Sequence, residues 1–289
     1  MKKLKFTTTF SSEIKPLVPE DKDKYLAMAS LMDVADFIPD IDVEKNIDLL
    51  PIAFNACVVN RVNKNDDVVD SKTALSMAEH FVNKPINIEH DRHRVLGTIL
   101  SVGFSEFGTD KKLSAEEAEK VEGPFNITLG GVLWRVVNTE LTDIIEEASD
   151  PTSEFYQKIS ASWELGFSEY EPVLLEVGEK NLENCCLIQD NSKVIEIGAE
   201  LRALGGTGEY EGKKVYRKVY GEVVPLGIGL TENPAADVVG VATETNKKEE
   251  VLEIEKVESE DNNLKNNPPT ENNSSHFKEN NVIENKDST

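Results

Sequence analysis

Two short stretches carry side chains that could do chemistry together. The first is NKPINIEHDRHRVLGTIL, Asn83–Leu100. It sets His90 and His93 in a segment otherwise patterned as strand, with His80 just upstream, in a chain of only four histidines. The second is KISASWELGF, Lys158–Phe167. Strand alternation puts Ser160, Ser162 and Glu164 on one face and Ile159, Ala161, Trp163 and Leu165 on the other. A serine becomes a nucleophile beside a base, most often histidine. The base in turn needs a third group that fixes its tautomer and supports its charge. Together the two stretches hold the material for acyl transfer.

Plainer readings stand beside this one. Ser-x-Ser-x-Glu also describes the wet face of a half-exposed edge strand. The run "DRHR" reads as a charged turn that leaves His93 in water. A zinc site built from His80, His90 and His93 is the chemical rival, but no spacing such as H-E-x-x-H accompanies it. No cofactor motif appears. Cys57, Cys185 and Cys186 have no zinc-ligand spacing, and the adjacent pair does not favour a mutual disulfide, which points to free thiols in a reducing setting.

The elements that must position these residues are mostly strands. IAFNACVVNRV (Ile52–Val62), INIEH, VLGTILSVGF, GGVLWRVV and KISASWELGF carry the β-branched and apolar patterning of strands. KVYRKVYGEVVPLGIGLT reads as two short strands. Helical spacing marks SKTALSMAEHFV, with Ser71 as the expected N-cap, and NTELTDIIEEASD, capped by Asn138 or Thr139. Ser114 and Glu117 have capping-box spacing. KVIEIGAELRAL fits strand or helix equally. The pairs Gly130–Gly131 and Gly205–Gly206 read as turns, with flexible backbone that could also line an oxyanion site. Many strands with few helices between them predict an α+β fold on a curved sheet or β-barrel with flanking helices.

The chain has 289 residues and a formal net charge of −23. That charge argues against a nucleic-acid partner, because the phosphate backbone repels it. No apolar run approaches the roughly 20 residues that span a bilayer, so no membrane partner is expected, and MKKLKFTTTF lacks the apolar core of a signal peptide. The expected organisation is an N-terminal extension over 1–49, a folded domain over 50–245 and a disordered tail over 246–289. The tail holds ten asparagines, 11 acidic and six basic side chains, and one aromatic residue, Phe277. Such a composition buries too little apolar surface to offset chain entropy.

The order of KPINIEHDRHRVLGTI, WRVVNTELTDIIEEASD, ISASWELGF and GIGLTENPAADVV resembles the prohead maturation proteases of tailed bacteriophages, themselves similar to the herpesvirus assembly proteases. The likeness covers roughly residues 50–242. It implies a serine endopeptidase of herpesvirus-protease-like fold, without cofactor or metal. Its work would be done in the host cytoplasm, inside the prohead, where an oligomer is compatible with it. Its substrates would be the scaffold protein, the major capsid protein and itself. His90 matches the family's histidine, and SWELGFSEY fits the serine segment better from Ser162 than from Ser160. Similar proteases carry their third group as an acid in the strand matched here by Gly227–Leu230, which has none. They have glycine where this chain has Glu164, so Glu164 is the expected orienting acid, with Asp91, Asp190 and Glu196 in reserve. A catalytically inactive assembly protein that binds scaffold, and a metal-dependent hydrolase, are the alternatives.

Overall fold

The structure is a computed structural model that describes residues 6–8, 34–186, 188, 190–231, 238 and 240–243. The expected disordered tail, 246–289, lies outside the described residues. What is described is a mixed α+β body dominated by one large open sheet. In chain order its elements are β1 (Phe6–Thr8), β2 (Leu49–Val59), β3 (Asp67–Val69), α1 (Ser71–Met77), β4 (Pro85–Ile88) and β5 (Asp91–Glu106). Then follow β6 (Lys112–Leu113), α2 (Ala115–Lys120), β7 (Phe125–Trp134), α3 (Thr139–Ser149) and β8 (Ser160–Leu175). The series closes with α4 (Asn191–Ala199), β9 (Glu209–Tyr210), β10 (Lys213–Thr231) and β11 (Ala242–Thr243).

The sheet runs β1-β8-β10-β4-β5-β7-β2-β11, with β3 and β9 attached to β10 and β6 to β5. Among the described residues the hydrogen-bonded path ends at β1 and β11, so the sheet is open and does not close as a barrel. Most neighbours are antiparallel, but β4 and β10 run parallel. Sequence distance explains this. Residues 89–212 separate the two strands, ample for a crossover, whereas tight hairpins join only antiparallel neighbours.

β2 and the first half of β8 are buried on both faces, as continuous apolar runs demand. The plainer wet-edge reading of Ser160, Ser162 and Glu164 is therefore not what forms: these three residues are 3%, 1% and 2% exposed. On the apolar face, Trp163 stacks on Phe81, ring centroids 6.3 Å apart, within the main core of Ile86, Ile99, Phe125, Phe167 and Ile228. Described residues ahead of position 50 take part in this body. Val34, Ala35, Phe37 and Ile38 pack on Ala53 and Ala242, and β1 pairs with Leu165–Phe167 of β8.

Several local expectations shift by a residue or a class. Asp70, not Ser71, caps α1, accepting from the Thr73 N–H at 2.8 Å. Asn138 caps α3, and Ser114 with Glu117 forms the capping box of α2. The ambiguous KVIEIGAELRAL is helical, α4 followed by a 3-10 turn at Arg202–Leu204. The two short strands expected over 214–231 are one long strand, β10, interrupted by register shifts between Tyr220 and Val223 and between Pro225 and Gly227. Gly221, at φ 82°, supplies the left-handed residue at the first shift. Gly130 and Gly131 are not a turn. They lie inside β7, where a Cβ on Gly130 would come within 2.2 Å of the Phe37 carbonyl oxygen.

Candidate active site

The site forms where β10 lies between β8 and β4. Gly229 of β10 pairs with Ser162 of β8 on one side and with Asn87 of β4 on the other. Directly opposed residues put their side chains on one face, with Cβ atoms about 5 Å apart. Ser162, the bare face of Gly229 and Asn87 therefore make a row across three strands.

His90 enters this row from above. β4 and β5 join through a two-residue connection, Glu89–His90, with Ile88 paired to Asp91. Both connecting residues have positive φ, 50° and 59°. This is the backbone of the tight primed hairpin turns that suit twisted strands, where glycine, asparagine and aspartate are the usual occupants. Glutamate and histidine there cost roughly 1–3 kcal/mol each, a strain that collects at functional sites. The turn is thus Glu89–His90, while the expected charged turn DRHR is the start of β5. It is anchored by Glu89 donating its N–H to the Leu230 carbonyl at 3.0 Å. That bond folds His90 back onto β10. A Cβ on Gly229 would stand 2.8 Å from the His90 backbone nitrogen and 3.0 Å from ring atoms Cγ and Nδ1. The imidazole occupies the space that a side chain at 229 would fill, directly across from Ser162.

The polar atoms of this row are buried and uncommitted. Ser162 Oγ, His90 Nδ1 and Nε2, and Asn87 Oδ1 have no hydrogen-bond partner among the described residues. A buried polar atom left so costs about 1–3 kcal/mol, and four of them lie on this one patch. Ser160, the rival serine, is already occupied: its Oγ accepts the Gly240 N–H at 3.1 Å. That bond distinguishes the two serines, one tying down the chain near its last strand and the other left with a free hydroxyl.

Glu164 lies on the same face, two residues beyond Ser162 and opposite Gly227. The inferred exchange of an acid between these positions thus joins two directly paired residues. The carboxylate does not hydrogen-bond to His90. It forms a buried-to-surface ion pair with Arg92, whose side chain is 68% exposed. The reserves are placed elsewhere: Asp91 Oδ1 accepts from the His93 N–H, Asp190 caps α4, and Glu196 is exposed on α4. His80 and His93 are exposed, and no three His, Cys, Asp or Glu side chains among the described residues gather as a metal-ligand set. The cysteines are free thiols, with Cys57 buried and its pKa pushed up by that burial.

Burial holds the His90 pKa below its usual value, against the opposing pull of the Glu164 and Glu89 carboxylates. A lowered pKa keeps the imidazole neutral, hence able to accept a proton, to more acidic pH. The acid limb of a kcat/KM profile is accordingly expected below about 6.5. Glu164→Gln removes one of the two carboxylates that raise the value, so the limb should move further down. A limb unmoved or moved up in that variant would show that Glu164 does not act on the imidazole.

Compared with known proteins, the chain matches no family model, no curated protein and no solved structure. No helix among the described residues is long and apolar enough to cross a membrane. Gly229, Asn87 and Arg92 escape a reading of the sequence. The one signal for them is a glycine in a strand pattern, Gly-x-Gly in GIGL, which marks close approach of another group.

Proposed function

We propose that this chain is a serine endopeptidase of the prohead-maturation type, with Ser162 as nucleophile and His90 as general base. One observation carries the reading: a half-buried imidazole whose ring nitrogens are buried, held by a strained turn, lies over a glycine directly opposite a buried and unbonded serine. His90 takes the Ser162 proton as Oγ attacks a peptide carbonyl, then delivers it to the leaving amine. Glu164 and Arg92 shape the field around the base. The motif order supports a herpesvirus-protease-like fold. It also supports scaffold protein, the major capsid protein and the chain itself as substrates, met inside the prohead in the host cytoplasm. A surface of net charge −23 suits an enzyme that is cleared before DNA fills that space.

Labelling with a fluorophosphonate tests the reading. The purified chain should form one covalent adduct, mapped by mass spectrometry to Ser162, and His90→Ala should lose it. A folded chain that stays unlabelled, or carries the adduct on Ser160, overturns it in favour of an inactive assembly protein or a different nucleophile.

A further inference from the structure

The row across the three strands contains one residue that the proposed mechanism leaves unused. Asn87 is 2% exposed and its Oδ1 is buried without a hydrogen-bond partner. It faces Gly229 from the side opposite Ser162. Read across the sheet, the order is Ser162, the imidazole of His90 over Gly229, then Asn87. The outer two residues are two strand spacings apart, roughly 9.6 Å. An imidazole flanked by two hydrogen bonds of about 2.8 Å fits that span once the serine and asparagine side chains reach inward.

The unbonded atoms fit together as well. Ser162 offers an O–H, the neutral imidazole offers one acceptor nitrogen and one N–H, and Asn87 offers a carbonyl oxygen. Two hydrogen bonds satisfy all four: Ser162 O–H to one ring nitrogen, and the other ring N–H to Asn87 Oδ1. Glu164 makes no hydrogen bond to either ring nitrogen of His90, and its Oε1 is engaged by Arg92.

We propose that Asn87 is a positioning residue for His90, its side-chain oxygen accepting the imidazole N–H where a carboxylate stands in a Ser-His-acid triad. Its catalytic value rests on the serine-protease reading; its contact with His90 does not. During attack, the Ser162 proton moves to the near ring nitrogen as the Oγ–carbon bond forms and the carbonyl electron pair moves onto oxygen. The far N–H of the imidazolium keeps its proton and donates to Asn87 Oδ1. The first proton leaves with the amine. Asn87 gains and loses nothing, and selects the tautomer whose bare nitrogen faces the serine. An amide supports the imidazolium less than a carboxylate, in keeping with a His90 pKa held below its usual value.

The test follows the His90 ring by NMR titration in the full chain carrying Ser162→Ala, which removes self-digestion. His80 and His93 serve as internal references, and Glu164, Glu89 and Arg92 are unchanged throughout. Asn87→Asp, which keeps shape and adds charge, should raise the His90 pKa by about one unit or more through a carboxylate at contact distance. Asn87→Ala should alter the tautomer ratio in the ring nitrogen shifts. In the chain with Ser162 intact, Asn87→Ala should lower kcat about 10²-fold or more with KM little changed, and Asn87→Asp should recover much of it. A His90 pKa and tautomer identical in all three folded chains would overturn the proposal. A shifted His90 beside a Ser162 that no fluorophosphonate labels would uphold the contact and overturn the protease reading instead.

Discussion

Ser162→Ala is expected to lower peptide cleavage by roughly 10⁴- to 10⁶-fold and to leave the fold intact. The hydroxyl has no hydrogen bond to lose, and its removal takes away one buried unbonded polar atom. The variant should therefore melt no lower than the parent. His90→Ala should be as damaging, and the double replacement no worse than either, since a nucleophile and its base act as a unit. Ser160→Ala gives the contrast. It forfeits the bond from the Gly240 N–H, so it should cost stability by about 1 kcal/mol while sparing the chemistry. Self-truncation on a gel and turnover of a peptide read these outcomes together. Undiminished cleavage by Ser162→Ala would remove the nucleophile from the scheme.

The second large effect is expected from a single methyl group. Gly229→Ala places a Cβ 2.8 Å from the His90 backbone nitrogen and 3.0 Å from the ring, so the imidazole has to move. A misplacement of about 1 Å in a reacting group costs on the order of 10²-fold. Displacing the base outright should cost more, toward the loss seen without it. The stability cost of such overpacking is about 1–3 kcal/mol, which leaves a folded chain. Gly227→Ala is the control, because the atoms nearest a Cβ there belong to Pro85, its carbonyl oxygen at 3.0 Å, and not to His90. It should be destabilised to a similar degree and lose far less activity. Equal activity in the two variants, measured as kcat/KM, would show that the imidazole does not depend on the bare face of Gly229.

The parts of the fold legible in the sequence are those set by local pattern. The apolar runs became β2, β7 and β8, and the Ser114–Glu117 spacing became a capping box, because burial and capping act within a few residues. Motif order pointed to His90 and Ser162. What local pattern does not encode is which strands become neighbours. The wet-face reading of Ser160, Ser162 and Glu164 assumed an exposed edge, whereas all three are buried and β10 pairs along that part of β8. The Glu89–His90 turn was hidden because neither residue favours positive φ, so a rule based on turn residues passes over it. Glu164 was assigned to His90 from the family likeness, and its ion pair with Arg92 is visible only in the folded hairpin.

The strand between β8 and β4 comes late in the chain. β4 and β8 carry Asn87 and Ser162, and the hairpin after β4 carries His90, yet the place where they meet is completed by Gly229, near the end of β10. A nascent chain that has emerged only as far as residue 212 owns every reactive side chain of the row and has no strand on which to align them. Assembly of the row therefore waits on a contact between segments more than 130 residues apart in sequence, and such long loops close slowly. The order of synthesis thus sets the order of assembly: the side chains of the row are made first, and the last long strand brings them into line.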